Sequence, residues 1–161
     1  MTPAIQEWVR SKIECGMIPK GGKILEIGSR DVNGSVRQFF DGQYIGIDAE
    51  AGPGVDMVSS AHELHIYAGT FDTVLCLEML EHDPKPWLTR AEMYRVLKPG
   101  GTMVISVPTN GFPEHKYPLD CFRYLPDAFT HFFFENMKIL ALDKVSSVLN
   151  QFTLIGAAVK I

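Results

Sequence analysis

Four short apolar runs constrain the fold more than any other feature of the chain: Lys23–Gly28 (KILEIG), Tyr44–Asp48 (YIGID), Phe71–Leu77 (FDTVLCL) and Thr102–Pro108 (TMVISVP). Each is too short for a buried helix, and TMVISVP in particular is continuously apolar, as strands covered on both faces are. Helix-period stretches lie among them. Ile5, Trp8, Val9 and Ile13 fall on one helical face after Thr2-Pro3, and Pro84–Leu97 places Trp87, Leu88, Ala91, Tyr94 and Leu97 on one side before LKPGG stops it. Strands alternating with helices predict an open, mostly parallel α/β sheet wound on both faces.

Shorter elements fill the gaps. Asn33 or Ser35 could cap a helix running through Val36, Phe39 and Phe40 to Gly42. The residues AEAGPG lead straight from YIGID into VDMV, which leaves no room for a crossover helix. A short third strand near Val55–Val58 is therefore expected at the sheet edge, reached by a loop. A short helix is expected around His62–Tyr67 and another from Asp127 to Phe134. KILALDKV and QFTLIGAAVKI read as two last strands, close enough to pair antiparallel.

The expected organisation is one domain, residues 1–161, with an N-terminal helical segment over 1–20 and a long aromatic-rich connection over 109–125 as a substrate lid. A net charge of -4 argues against bulk binding of nucleic-acid phosphates. Cys15, Cys76 and Cys121 show no CxxC or zinc spacing, and Cys76 reads as a core residue. No apolar run reaches signal-peptide or membrane-span length, so a cytoplasmic protein is expected. No carboxylate/His cluster has ligand spacing in the sequence, so no metal is expected. The sequence leaves the oligomeric state open.

Ligands of such sheets bind at the carboxyl ends of the strands, near the switch in strand order. That rule selects the loop after Gly28, Asp48, the stretch Glu78–Asp83 and the segment after Pro108. In the first loop, LEIGSRDVNGS, Arg30 holds the place where a dinucleotide loop has its middle glycine, and no Gly-Lys-Ser/Thr follows. A cofactor that passes no pyrophosphate across this backbone relaxes the requirement for glycine.

These segments resemble the small class I S-adenosylmethionine-dependent methyltransferases of the broad type 11 group. KILEIGSRDVNGS resembles their first loop, YIGIDAEAGPGVD their acidic second-strand end, and VDMVSSAHEL their adenine-side loop. FDTVLCLEMLEHDPKPWLTRAEMYRVLKPGG resembles their fourth strand and following helix. The resemblance implies a Rossmann-like sheet of seven strands with an antiparallel last strand, the helix after strand 2 being reduced to a loop. It also implies S-adenosylmethionine contacts at Glu26, Gly28, Ser29, Asp48, Ala49, Ala61, His62, Leu77 and Glu78. In it Asp48 takes the ribose hydroxyls and Glu26 lies near the ammonium tail.

The implied activity is methylation, on oxygen or nitrogen, of a small-molecule or sugar-like acceptor. A base is needed only if the acceptor must lose a proton. His82 and His115 have a suitable ordinary pKa, and Asp120 is a third candidate. His115, Tyr117, Asp120 and Arg123 belong to a His…Tyr-Pro…Asp…Arg-Tyr pattern found in small relatives, which makes them candidate substrate contacts. A structural alternative stands beside this: Asp120 and Arg123, three apart, could form an ion pair that only shapes the lid. Two other functions remain open, a cofactor-binding partner subunit without chemistry and a nicotinamide-dependent oxidoreductase.

Overall fold

The computed structural model describes residues 1–148 and 151–161. Seven strands form one sheet: β1 (Lys23–Ile27), β2 (Gln43–Asp48), β3 (Met57–Val58), β4 (Phe71–Leu77), β5 (Leu97–Pro108), β6 (Met137–Val148) and β7 (Gln151–Lys160). Their spatial order is β3-β2-β1-β4-β5-β7-β6. The first five run parallel, whereas β7 inserts antiparallel between β5 and β6. The order therefore reverses between β1 and β4, and the carboxyl ends of those strands open a crevice there.

The pleat sends alternate residues into two cores. Ile24, Leu75, Leu77 and Val104 pack with Ile5, Trp8, Val9 and Ile13 of helix α1 (Pro3–Glu14). Leu25, Ile27, Val74, Cys76 and Ile105 pack on the other face, with Met93 and Val96 of helix α2 (Pro86–Val96) and the aromatic side chains Phe129, Phe133 and Phe134. Leu25, Ile24, Val74 and Leu75 are fully buried, each burial stabilising the fold by about 1.5–3 kcal/mol. Trp8 Nε1 donates to Asp143 Oδ2 at 2.8 Å and pins α1 to β6.

The loop expected after β2 is present, and β3 is a two-residue edge strand rather than the longer Val55–Val58. Two helical expectations are corrected. Between Ser35 and Gly42 only one 3-10 turn forms, Arg37–Phe39. A Cβ at Gly42 would lie 2.1 Å from the Gly22 carbonyl oxygen, so the chain must already be against β1 there and has no length for a helix. Residues 62–67 form an irregular loop, not a helix. Their backbone groups are satisfied by α2 instead: Glu92 accepts from Leu64 N, and Arg95 donates to the carbonyls of Leu64 and Ile66. The helix expected over Asp127–Phe134 is present, as a short α-helical turn at Pro126–Ala128 continued by a wider π-helical turn at Phe129–Phe133.

Helix α2 is also rotated from its expected face. Pro86, Thr89, Met93 and Val96 are buried, whereas Trp87 and Leu88 are exposed. The cause is Asp83, whose carboxylate accepts from Lys85 N at 2.8 Å and from Thr89 Oγ1 at 2.5 Å, fixing the Thr89 side inward.

Candidate active site

A cavity of about 960 Å³ lies over the carboxyl ends of β1, β2 and β4, between the N-terminal residues Met1 and Thr2 and the lid residues 112–118. At the end of β1 the chain turns at Gly28 with φ +77°. A Cβ there would lie 2.6 Å from Met79 Cγ, so both the backbone angle and the space require glycine. The amides of Gly28 and Ser29 both donate to the Ile47 carbonyl, which locks the β1 and β2 loops together.

Asp48 is held by these loops. Its Oδ2 accepts from Arg30 N at 3.2 Å and its Oδ1 from Glu50 N at 3.1 Å. Each oxygen retains a second lone-pair direction for a ligand hydroxyl. The Arg30 side chain ion-pairs with Glu50 and lies 5.9 Å from the Tyr117 ring, at the cavity rim. Glu26 is buried, accepts a hydrogen bond from Tyr44 Oη at 2.8 Å, and is pushed up to about 7 by burial.

Glu78 follows β4 with φ +54°, a strained angle for a side-chain-bearing residue and one that tends to collect at functional sites. Ser106 Oγ donates to its Oε1 at 3.1 Å and Thr153 Oγ1 to its Oε2 at 3.4 Å. Burial, helped by the neighbouring Glu81 charge, raises its pKa to about 8. His62 Nε2 lies 2.8 Å from Asp83 Oδ1, joining the loop after β3 to the start of α2.

All nine residues expected at the cofactor line this one cavity: Glu26, Gly28, Ser29, Asp48, Ala49, Ala61, His62, Leu77 and Glu78. His82, His115 and Tyr117 line it as well. Asp120 and Arg123 do not; they border a separate depression with Phe112 and Glu114. Arg123 Nη1 and Nη2 donate to the two Asp120 oxygens at 2.5 and 2.6 Å, and His115 N donates to Asp120 Oδ2 at 2.7 Å. Arg123 holds the Asp120 carboxyl well below the usual carboxylate range. Arg123 further donates to the carbonyls of Phe112 and Pro113, so the pair binds the lid to itself.

Comparison with known proteins fits this geometry. A family model described as a methyltransferase domain matches residues 32–105. A Burkholderia thailandensis 1,6-didemethyltoxoflavin-N1-methyltransferase, crystallised with its substrate and S-adenosylhomocysteine, superimposes with a TM-score of 0.79 over 98% of this chain and 78% of that one. Residues 32–105 thus match a methyltransferase domain, and the chain as a whole has the class I methyltransferase fold.

At 17% identity the structural likeness speaks for the class I methyltransferase fold alone. The same fold carries the [4+2]-cyclase SpnF, with a TM-score of 0.73 over 96% of this chain and 81% of that one, at 16% identity. Fold therefore does not by itself name the reaction. The ubiquinone biosynthesis O-methyltransferase of Escherichia coli is 42% identical over 59 residues, 35% of this chain and 25% of that protein. The chain thus spans about a quarter of the length of that curated relative. Among the described residues no helix is long and apolar enough to cross a membrane.

Sequence reasoning passed over two contributors to this site. Tyr44 reads as an ordinary β2 aromatic, and nothing local announces its bond to Glu26. Glu81 stands beside His82 in the sequence, but only the tertiary structure shows that it is fully buried and faces the cavity.

Proposed function

We propose that the chain transfers a methyl group from S-adenosylmethionine to a small acceptor, a hydroxyl-bearing or sugar-like molecule in the first instance. The observation that carries this reading is the convergence of nine residues, chosen from separate strand ends, on a single cavity. Its volume of about 960 Å³ lies within the range of small-molecule sites. In this reading Asp48 accepts the ribose hydroxyls, and Glu26 meets the ammonium of the methionine tail. Gly28 lets that tail lie against the backbone, and Ala61 and His62 border the adenine. Leu77 and Glu78 flank the sulfonium side, which leaves His82, His115 and Tyr117 facing the acceptor.

The chemistry asks chiefly for alignment. The acceptor attacks the methyl carbon in line with the departing sulfur, and the neutral thioether needs no acid. Holding reactants in line can supply about 7–11 kcal/mol of the barrier in favourable cases. Arg30 fits the same reading, because its side chain occupies a rim that no pyrophosphate has to cross.

Calorimetric titration with S-adenosylmethionine, S-adenosylhomocysteine and NAD tests the cofactor. Transfer of a labelled methyl group to a panel of hydroxyl and amine acceptors tests the reaction. Binding of both sulfur compounds but not NAD is expected. NAD binding alone would move the chain to hydride chemistry, and cofactor binding without any transfer would favour a partner subunit.

A further inference from the structure

Glu81 lies in the connection between β4 and α2, under the lid. The amides of Cys121 and Phe122 donate to its backbone carbonyl at 2.7 and 3.2 Å, closing the lid over it. Its side chain is fully buried, and neither carboxylate oxygen has a hydrogen-bond partner. A buried carboxylate without a donor is costly unless a cation meets it.

Two imidazoles face this carboxylate. Nε2 of His82 and Nε2 of His115 each lie 3.6 Å from Glu81 Oε1, too far for a hydrogen bond. Their other nitrogens are already committed: His82 Nδ1 lies 2.5 Å from the Leu119 carbonyl and His115 Nδ1 3.3 Å from the Pro113 carbonyl. A carbonyl only accepts, so His82 Nδ1 carries the proton and its Nε2 presents a lone pair, whereas His115 Nδ1 lies between the Pro113 carbonyl and the Arg123 Nη2 donor at 3.4 Å, so either nitrogen of that ring can carry the proton. Glu81 Oε1, His82 Nε2 and His115 Nε2 then converge on one point, where a bound metal ion displaces whatever proton His115 Nε2 carries. Backbone carbonyls that fix the tautomer in this way are the usual support of metal-ligating histidines.

The three potential donor atoms lie within 4.8 Å of one another. With metal–ligand bonds of about 2.1 Å, a 3.6 Å separation corresponds to an angle of roughly 120° at a shared ion. We propose that Glu81, His82 and His115 hold one divalent transition-metal ion at the lid end of the cavity. Two imidazoles and one carboxylate favour ions such as zinc, cobalt or iron over magnesium and calcium, which prefer oxygen ligands.

All three residues line the cavity, so the remaining coordination positions face its interior. Resting on the methyltransferase reading, the ion binds the acceptor hydroxyl and lowers its pKa. The proton leaves to solvent, the oxygen forms its bond to the methyl carbon, and the carbon–sulfur bond breaks with its electron pair on sulfur. The products are a methyl ether and S-adenosylhomocysteine.

The test uses the full chain, stripped of metal by a chelator and titrated with Co²⁺ by visible absorption and with Zn²⁺ by calorimetry. Titration with S-adenosylhomocysteine in the absence of metal runs in parallel. One ion per chain is expected, with affinity about 10–100-fold weaker in Glu81→Gln and in His115→Ala. Both variants should still bind S-adenosylhomocysteine, which shows that they are folded. Substoichiometric binding of both ions, or binding indifferent to both substitutions, overturns the metal site. Stoichiometric metal with no S-adenosylhomocysteine binding sustains the site and overturns the cofactor reading instead.

Discussion

The Tyr44 hydroxyl on β2 donates to Glu26 Oε2 on β1 at 2.8 Å, so a carboxyl that burial pushes up to about 7 rests on a neighbouring strand. Its folded pKa exceeds its unfolded value, so the native chain holds the proton more tightly. This stabilisation is fully present below about pH 4.5 and is lost as pH rises through about 7. The change across that window is up to about 3 kcal/mol. Denaturant titrations of wild type and Glu26→Gln should diverge there, and identical pH profiles would refute the assignment.

A bound ammonium favours ionised Glu26, so S-adenosylhomocysteine affinity should rise with pH up to about 7 and the binding should release a proton. Tyr44→Phe removes the donor and should move that midpoint upward. Calorimetry in buffers of different ionisation enthalpy reads the proton directly. No release at pH 6 would place the ammonium elsewhere.

Asp48→Asn keeps an acceptor oxygen for only one of the Arg30 and Glu50 amides and loses the charge. S-adenosylhomocysteine should bind roughly 10–100-fold more weakly, the scale of a charged hydrogen bond. Unchanged affinity in the folded variant would contradict the ribose role.

Gly28→Ala meets two obstacles, the φ of +77° and the 2.6 Å approach to Met79 Cγ. The angle alone costs about 1–2 kcal/mol. Because Met79 Cβ would itself lie 2.7 Å from the new methyl, the steric part is recovered only by adding Met79→Gly. Thermal melts of the single and double variants separate the two contributions, and full recovery would mean that the backbone angle carries no strain.

Arg30→Ala removes a rim ion pair worth about 0–1 kcal/mol. S-adenosylhomocysteine affinity should therefore change by less than about fivefold. A collapse of binding would show that Arg30 reaches the ligand.

Asp120→Asn takes the charge from the contact with Arg123 and loosens the lid that carries His115. Turnover should fall on the order of 10–100-fold, as misplacement of an aligning group does. S-adenosylhomocysteine affinity should stay near wild type, since Asp120 does not line the cavity. Lost cofactor binding with normal turnover at saturation would reverse this assignment.

Three of the residues proposed for the cofactor were legible because each sits at a strand end that its own local sequence defines. Gly28 closes KILEI, Asp48 closes YIGI, and Glu78 follows FDTVLCL. The lid half was less so. Asp120 and Arg123 carry the charges that suggest substrate contact, yet their spacing serves the lid itself. The outward face of α2 was misjudged because Trp87 and Leu88 are apolar, whereas Asp83 selects the inward face through the hydroxyl of Thr89.

Sequence by itself determined the strands, their order of use and the residues at their carboxyl ends, because hydrophobic period and turn chemistry act over a few neighbouring residues. Tertiary structure decided what lies across from them. Glu92 and Arg95 replaced an expected helix by satisfying the backbone at Leu64 and Ile66. The lid path brought His115 to Glu81 and His82, a juxtaposition set by hydrogen bonds from Cys121 and Phe122 to the Glu81 carbonyl. Contacts between segments so far apart depend on the path of a folded loop, which no local pattern specifies.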